Sequence, residues 1–241
     1  MLKPLAGALA LAVAACVHAD IITQWNFNGL SSATVPGGTS NPIPWIGAGT
    51  AQLIGGVTAS FASGVSNGGS SDPNTTSPPN YAWNTTSYGA QASGSGERGV
   101  QFQVGTLGLY DIGVSFDVRH SNTSSRFVQF QYSLDGTSFS SNDLANDGIF
   151  EASLGGDTWY NLRSVNLAGI SGASNNANFA FRIVAIFAPG TSGYVASTAT
   201  STWAGTGTLR FDMVTVTGVV PAPGAIATLA IAGLVGRRRR R

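Results

Sequence analysis

The chain contains 241 residues, of which 43% are hydrophobic, 10% aromatic and only 10% charged, with 32 glycines. This content is sufficient to bury a core and argues against a disordered low-complexity protein. The formal net charge is +1, but Lys3 and five terminal arginines supply six of the twelve positive charges. Residues 20–220 therefore hold six arginines against eleven acidic residues, a net charge of −5. This balance excludes a nucleic-acid-binding surface, which needs clustered basic residues.

The first 19 residues have the three parts of a secretory signal peptide. Lys3 forms a short basic region, Leu5–Ala15 is apolar, and Val17, His18 and Ala19 resemble an A-x-A cleavage site before Asp20. The apolar part is too short for a transmembrane helix. We therefore predict export through the Sec translocon and cleavage by signal peptidase between Ala19 and Asp20.

Cys16, the only cysteine, allows two interpretations. The segment Val13–Cys16 is similar to a bacterial lipobox, in which Cys16 would be lipidated, whereas in the other interpretation Cys16 is removed with the signal peptide. We favour removal, because a C-terminal membrane segment would make a second anchor redundant. The mature protein then has no cysteine, which excludes disulfides, thiol catalysis and Cys-ligated zinc.

Alternation of apolar and polar residues predicts β-strands along most of the chain. Such period-two runs indicate strands with one face on a core and one face in water. Residues 62–98 are rich in Gly, Ser, Asn and Pro, which predicts a long loop region there. The predicted strands are Ile22–Phe27, Val57–Phe61, Val100–Val104, Ile112–Val118, Val128–Leu134, Trp159–Leu167, Phe179–Phe187 and Leu209–Val216.

Turn residues separate these strands. Asp135-Gly136 follows one apolar run and supplies the positive φ angle of a tight turn, so it predicts a hairpin. Many short strands with such turns favour an all-β protein. We predict a single antiparallel β-sandwich or jelly roll over residues 20–219.

The last 22 residues, 220–241, combine three features of a membrane-directed segment. Val220, Pro221, Ala222 and Pro223 precede an apolar run, and the chain ends in Arg237, Arg238, Arg239, Arg240 and Arg241. Residues 219–236 would form a helix about 27 Å long, close to the ~30 Å hydrocarbon core. Arginines favour the cytoplasmic side of a membrane, so we predict a C-terminal hydrophobic helix in the inner membrane.

The order of these parts resembles the PEP-CTERM sorting signal of Gram-negative bacteria, with Ala222 where that family usually has glutamate. The resemblance implies recognition by exosortase, a membrane cysteine transpeptidase that cleaves such tails near the proline motif. It also implies transient residence in the inner membrane and a final location at the cell surface or in the extracellular matrix. The alternative is a simple C-terminal membrane anchor.

Two segments of the ectodomain resemble extracellular jelly rolls such as carbohydrate-binding modules. Phe130–Phe139 contains a Tyr-Ser-x-Asp-Gly turn, and Phe211–Val216 is similar to the closing strand of those modules. The resemblance implies that Asp212, with Asn28 or Asn26, helps to hold a structural calcium ion, since calcium prefers hard oxygen ligands. In the alternative, Asp212 bonds a neighbouring backbone group or an arginine, and the protein has no cofactor.

Residues suited to catalysis are scarce in the ectodomain. His120 is the only histidine of the mature chain, and we interpret Asp117, Arg119 and His120 as a solvated strand end. Glu97 and Glu151 are the only glutamates, and no pattern pairs them as a glycosidase requires. We predict no catalytic residues.

Several aromatic residues are predicted to stack on sugar rings, and the alternative is that they pack in the core. They are Trp83, Tyr88 and Trp203, and also Trp45, Tyr81 and Tyr194.

Two classes of function remain. The first is an exported, non-catalytic surface or matrix protein that is sorted by its tail and associated with exopolysaccharide or biofilm. The second is a secreted carbohydrate-binding module or a polysaccharide-active enzyme. The tail and the scarcity of catalytic residues favour the first class.

Overall fold

The computed structural model describes residues 19–74, 79–153 and 155–221. These residues contain eleven strands in two sheets, and all strand pairs are antiparallel. The six-stranded sheet has the order β3-β4-β11-β6-β9 with β1 also beside β11, and the five-stranded sheet has the order β2-β5-β10-β7-β8. The strands are β1 (Asp20–Trp25), β2 (Thr50–Ile54), β3 (Thr58–Ser63), β4 (Tyr81–Thr86), β5 (Arg98–Gln103), β6 (Tyr110–His120), β7 (Phe127–Ser133), β8 (Ile149–Glu151), β9 (Thr158–Asn166), β10 (Ala180–Ala185) and β11 (Leu209–Val219).

An aromatic core joins the two sheets. On the five-stranded sheet, Phe102 and Phe181 are register partners and stack with ring centroids 5.0 Å apart. Across the core, Trp25 of the other sheet meets Phe102 edge-on at 4.9 Å, and Phe116 meets Phe150 at 5.4 Å. Such aromatic pairs add to the free energy of burial. The predicted fold class, a single antiparallel β-sandwich of the jelly-roll type, is confirmed.

Eight of the eleven strands in the described part of the chain coincide with predicted strands, with small shifts at their ends. The prediction of a loop region across residues 62–98 is wrong in its middle, because β4 lies there between β3 and β11. Trp83 of β4 is buried, but the polar residues Asn84 and Thr86 and the surrounding Gly, Ser and Pro obscure its alternation. The sequence pattern also fails to predict β2 and β8, the edge strands of the five-stranded sheet.

Most of the two predicted terminal segments lies outside the described residues. Strand β1 begins at Asp20, and β11 ends at Val219. The signal peptide, the C-terminal helix and the sorting tail, including Ala222, Pro223 and the arginines, therefore stay predictions. Among the described residues, no helix has both the length and the hydropathy that a membrane span requires. All the described strands lie within one compact unit, Ala19–Val220, so a fragment with these bounds contains the complete sandwich.

Candidate functional site

A line of polar side chains crosses the outer face of the five-stranded sheet. Side chains alternate along a strand, so the neighbours of the buried core residues point away from the core. Gln52 of β2 is the register partner of Gln101 of β5. Arg182 of β10 pairs with Gln101 on one side and with Gln131 of β7 on the other. We call Gln52, Gln101, Arg182 and Gln131 the polar row.

Arg182, inside the polar row, is held from two sides. Its Nε donates a hydrogen bond to Oε1 of Gln101 at 2.9 Å, and its guanidinium carbon lies 3.5 Å from the ring centre of Phe139. Burial lowers the pKa of Arg182. In residues 19–74, 79–153 and 155–221 the ion pair that is present joins Arg119 to Asp157. Arg182 therefore has no carboxylate partner within those ranges.

Hydrogen bonds also order the amide side chains of β7. Nε2 of Gln131 donates to Oε1 of Gln129 at 3.1 Å. Nε2 of Gln129 donates in turn to the hydroxyl of Ser141 and to the backbone carbonyl of Asp147. These bonds connect the outer face of β7 to the chain between β7 and β8. Ordered side chains lose less entropy when a ligand binds, so the arrangement is suited to recognition.

The turn after β7 leads directly to Phe139 and places it over Arg182. Gly136 has a φ angle of 80°, which confirms the predicted Asp-Gly turn. The carboxylate of Asp135 accepts three hydrogen bonds, from the backbone N–H groups of Ser138 and Thr137 and from the hydroxyl of Ser133. These bonds, led by the one from Ser138, hold the pKa of Asp135 well below its usual value. The ionised carboxylate therefore stabilises the turn that carries Phe139.

The aromatic residues predicted to stack on sugars lie elsewhere. For Trp83 and Tyr88 the prediction is wrong, because their exposed fractions are 0% and 3% and both belong to the core. Trp203 is half-buried, and Tyr194 covers one of its faces with ring centroids 4.6 Å apart. Sugar stacking on Trp203 stays a prediction. Trp45 is 70% exposed.

The two predicted calcium ligands lie beside one short segment, 70–72. Oδ2 of Asp212 accepts a hydrogen bond from the Ser70 hydroxyl at 2.6 Å, and Oδ1 accepts one from the next backbone N–H. Nδ2 of Asn28 donates to Oδ2 of Asp72 at 2.7 Å, and Oδ1 of Asn28 accepts from the first backbone N–H of β4. The structure thus brings Asp212 and Asn28 to the same segment through different partners.

In the structure, both carboxylate oxygens of Asp212 and the amide oxygen of Asn28 accept hydrogen bonds from the protein. No group of three acidic, histidine or cysteine side chains in the described ranges has the spacing of a metal site. Burial raises the pKa of Asp212 well above its usual value, and the nearby Asp72 and Asp117 raise it further. The geometry agrees with the alternative in which Asp212 bonds a neighbouring backbone group, while calcium binding stays a prediction.

Residues 117–120 make structural contacts. Our interpretation of a solvated strand end is wrong, because Asp117, Arg119 and His120 are all buried. Nδ1 of His120 lies 2.8 Å from the carbonyl oxygen of Ser125, and burial lowers the pKa of His120 to about 4. Asp117 accepts hydrogen bonds from two backbone N–H groups, and Arg119 pairs with Asp157. These groups hold the sheet together and are poorly placed to act as an acid or a base.

Comparisons with known proteins do not assign a family. No family model matches the chain, and no curated protein matches it. A similar solved structure is the N-terminal CBM22-1-CBM22-2 tandem domain of Xyn10C from Paenibacillus barcinonensis, with a TM-score of 0.43 at 9% sequence identity. The match covers 88% of this chain and 49% of that chain, so this protein spans about half the length of that structure.

The polar row is a feature that the sequence pattern does not reveal. Alternation places Gln101, Gln103, Gln129 and Gln131 on the water-facing sides of β5 and β7, and this repeated glutamine is the available signal. The remaining members come from strands that are distant in the sequence. Their alignment depends on the register of the sheet, which the sequence pattern does not specify.

Proposed function

We propose that this protein is a non-catalytic, exported cell-surface protein that binds a polysaccharide across the polar row. The observation that carries the proposal is the alignment of three amides and one guanidinium on four adjacent strands. Neighbouring strands are about 4.8 Å apart, which is similar to the length of one sugar unit. A glycan that lies across the strands would therefore meet one polar side chain at each unit.

The chemistry of the polar row suits a glycan. Sugar hydroxyls both donate and accept hydrogen bonds, and each glutamine amide offers donors and an acceptor in one plane. Phe139 adds an aromatic ring beside Arg182. An interface of ordered polar groups with a nearby ring supports the binding of an extended polar chain. These features are less suited to a hydrophobic partner.

The binding part of the proposal is tested with the 19–220 fragment on a glycan array, followed by titration of the best ligand. We expect Gln101→Ala and Gln131→Ala each to weaken binding roughly fivefold, since a neutral hydrogen bond contributes about 1 kcal/mol. Ser115→Ala and Ser164→Ala are matched controls. These two polar residues are also register partners on neighbouring strands, but they belong to the six-stranded sheet, away from the polar row. The proposal fails if no glycan binds, or if both pairs of variants weaken binding equally.

The non-catalytic part is supported by the burial and low pKa of His120 and by the backbone bonds of Asp117. We expect the fragment to release no reducing ends from any polysaccharide that it binds. If such release is detected and disappears in Glu151→Gln, the protein is a polysaccharide-active enzyme. Glu151 is the position to test because it is an exposed glutamate, on edge strand β8.

Export and sorting form a separate part of the proposal. The protein would pass the Sec translocon, lose residues 1–19 to signal peptidase, and reside in the inner membrane until an exosortase-like transpeptidase removes the tail. Mass spectrometry of the surface-exposed protein measures both ends. We expect a mature N-terminus at Asp20 and loss of Arg237–Arg241. An intact arginine tail on surface-exposed protein would favour a simple membrane anchor instead.

A further inference from the structure

Arg182 is a partly buried cation without an acidic partner in the described ranges. Burial lowers its pKa, and no carboxylate opposes that shift, whereas the charge of Asp157 does so for Arg210. Fully buried charged side chains are normally paired with an opposite charge, and Arg182 is half-buried, so one edge of its guanidinium stays accessible to a ligand. Arg182 sits among the neutral amides of the polar row, so its neighbours provide no such charge. A bound anion would add a charged partner that the described residues do not provide.

The geometry of Arg182 leaves its terminal nitrogens available. Nε is bonded to Gln101, and the ring of Phe139 lies against the guanidinium. In residues 19–74, 79–153 and 155–221, neither Nη1 nor Nη2 of Arg182 makes a hydrogen bond to the protein. A guanidinium with two free N–H groups on one edge matches the two oxygens of a carboxylate. The Phe139 contact and the Gln101 bond hold this edge in a defined orientation.

We propose that the glycan bound by the polar row is acidic and that one of its carboxylate groups forms a paired hydrogen bond with Arg182. The inference rests on the proposed glycan binding and adds the chemical class of the ligand. Residues 20–220 carry a net charge of −5, so the domain as a whole does not attract a polyanion. Recognition of the carboxylate therefore depends on Arg182 itself, and a single substitution should abolish it.

The test uses three polymers with the 19–220 fragment in affinity electrophoresis and titration calorimetry. They are polygalacturonate, the same polymer with its carboxyl groups reduced to alcohols, and dextran sulfate. We expect polygalacturonate to bind at least tenfold more tightly than the reduced polymer, as hydrogen bonds to charged groups are the stronger class. Arg182→Gln should remove this difference, and Arg182→Lys should restore only part of it because lysine lacks the planar fork.

Arg163→Gln is the matched control for the loss of one positive charge. Arg163 is also half-buried, and its guanidinium lies 4.9 Å from the ring centre of Tyr160, but it belongs to β9 of the six-stranded sheet. We expect this variant to bind polygalacturonate as the unmodified fragment does. Thermal unfolding of each variant shows whether the fold is intact.

Four results would overturn the inference. Equal binding of the native and reduced polymers would leave glycan binding standing but remove the acidic class. Equal or tighter binding of dextran sulfate would indicate a general attraction to polyanions. An equal loss in Arg163→Gln would indicate that overall charge controls binding. Binding confined to neutral glycans of the array, with no affinity for polygalacturonate, would show that the polar row recognises neutral sugars. Failure of the whole array is a separate outcome, which would remove the proposed function on which the inference rests.

Discussion

The contact between Phe139 and Arg182 can be measured without knowledge of the ligand. We consider Phe139→Leu, which keeps an apolar side chain but removes the ring, and Arg182→Gln, which removes the charge. The guanidinium carbon is 3.5 Å from the ring centre, and both residues are half-buried. Cation–π contacts contribute about 0.5–1 kcal/mol at exposed sites and about 2 kcal/mol when fully desolvated. We therefore expect a coupling energy of about 1 kcal/mol.

Urea denaturation of four proteins gives this coupling energy: the 19–220 fragment, the two single variants and the double variant. The coupling energy is the difference between the change in the free energy of unfolding in the double variant and the sum of the changes in the two single variants. Residues in contact typically show a coupling energy of about 0.5–3 kcal/mol. Phe139→Leu combined with Arg163→Gln is the control pair, and we expect its effects to add. If the first pair is additive to within about 0.3 kcal/mol, the ring does not stabilise the guanidinium and the described site is incorrect.

Three further outcomes are expected for the fragment. Phe181→Ala should lower the free energy of unfolding by about 3–5 kcal/mol in denaturant titrations, because it removes a fully buried ring, and a loss below about 1 kcal/mol would contradict this packing. Asp212→Asn should raise the free energy of unfolding at pH 7, because burial raises the pKa of Asp212 and its ionised form therefore destabilises the folded protein. This advantage should disappear near pH 3, where the carboxyl group is largely protonated in the folded and the unfolded protein. Destabilisation at pH 7 would contradict a metal-free site. EDTA and added calcium should leave the melting temperature unchanged, whereas a calcium-dependent rise that Asp212→Asn or Asn28→Ala abolishes would establish the calcium site.

The fold was largely predictable because its main signal is local. A strand with one buried face repeats its apolar residues every two positions, and this pattern predicts eight of the described strands. Strand β4 shows the limit of that signal. Trp83 is a core residue, but its neighbours are the polar and flexible residue types that usually mark loops. Burial of Trp83 depends on contacts such as Phe27, 5.7 Å away between ring centres, which no local pattern contains.

The same limit explains the errors about individual residues. Trp83 and Tyr88 have polar neighbours in the sequence, which suggested exposure, yet packing from distant strands buries both. His120 ends a strand, but it is buried, and its ring nitrogen is bonded to a carbonyl of the following connection. Side-chain exposure is a property of the whole sandwich, because the residues that cover a side chain are far from it along the chain.

Residue patterns along the chain are sufficient to predict the negative charge of residues 20–220, the positions of most strands and the turn at Asp135-Gly136. Those features depend on neighbouring residues, and so a local pattern can express them. Only the tertiary structure placed Gln52, Gln101, Arg182 and Gln131 in one line. The reason is that strand order and register come from fitting the two inner faces together, and the outer face takes the alignment that this fit imposes.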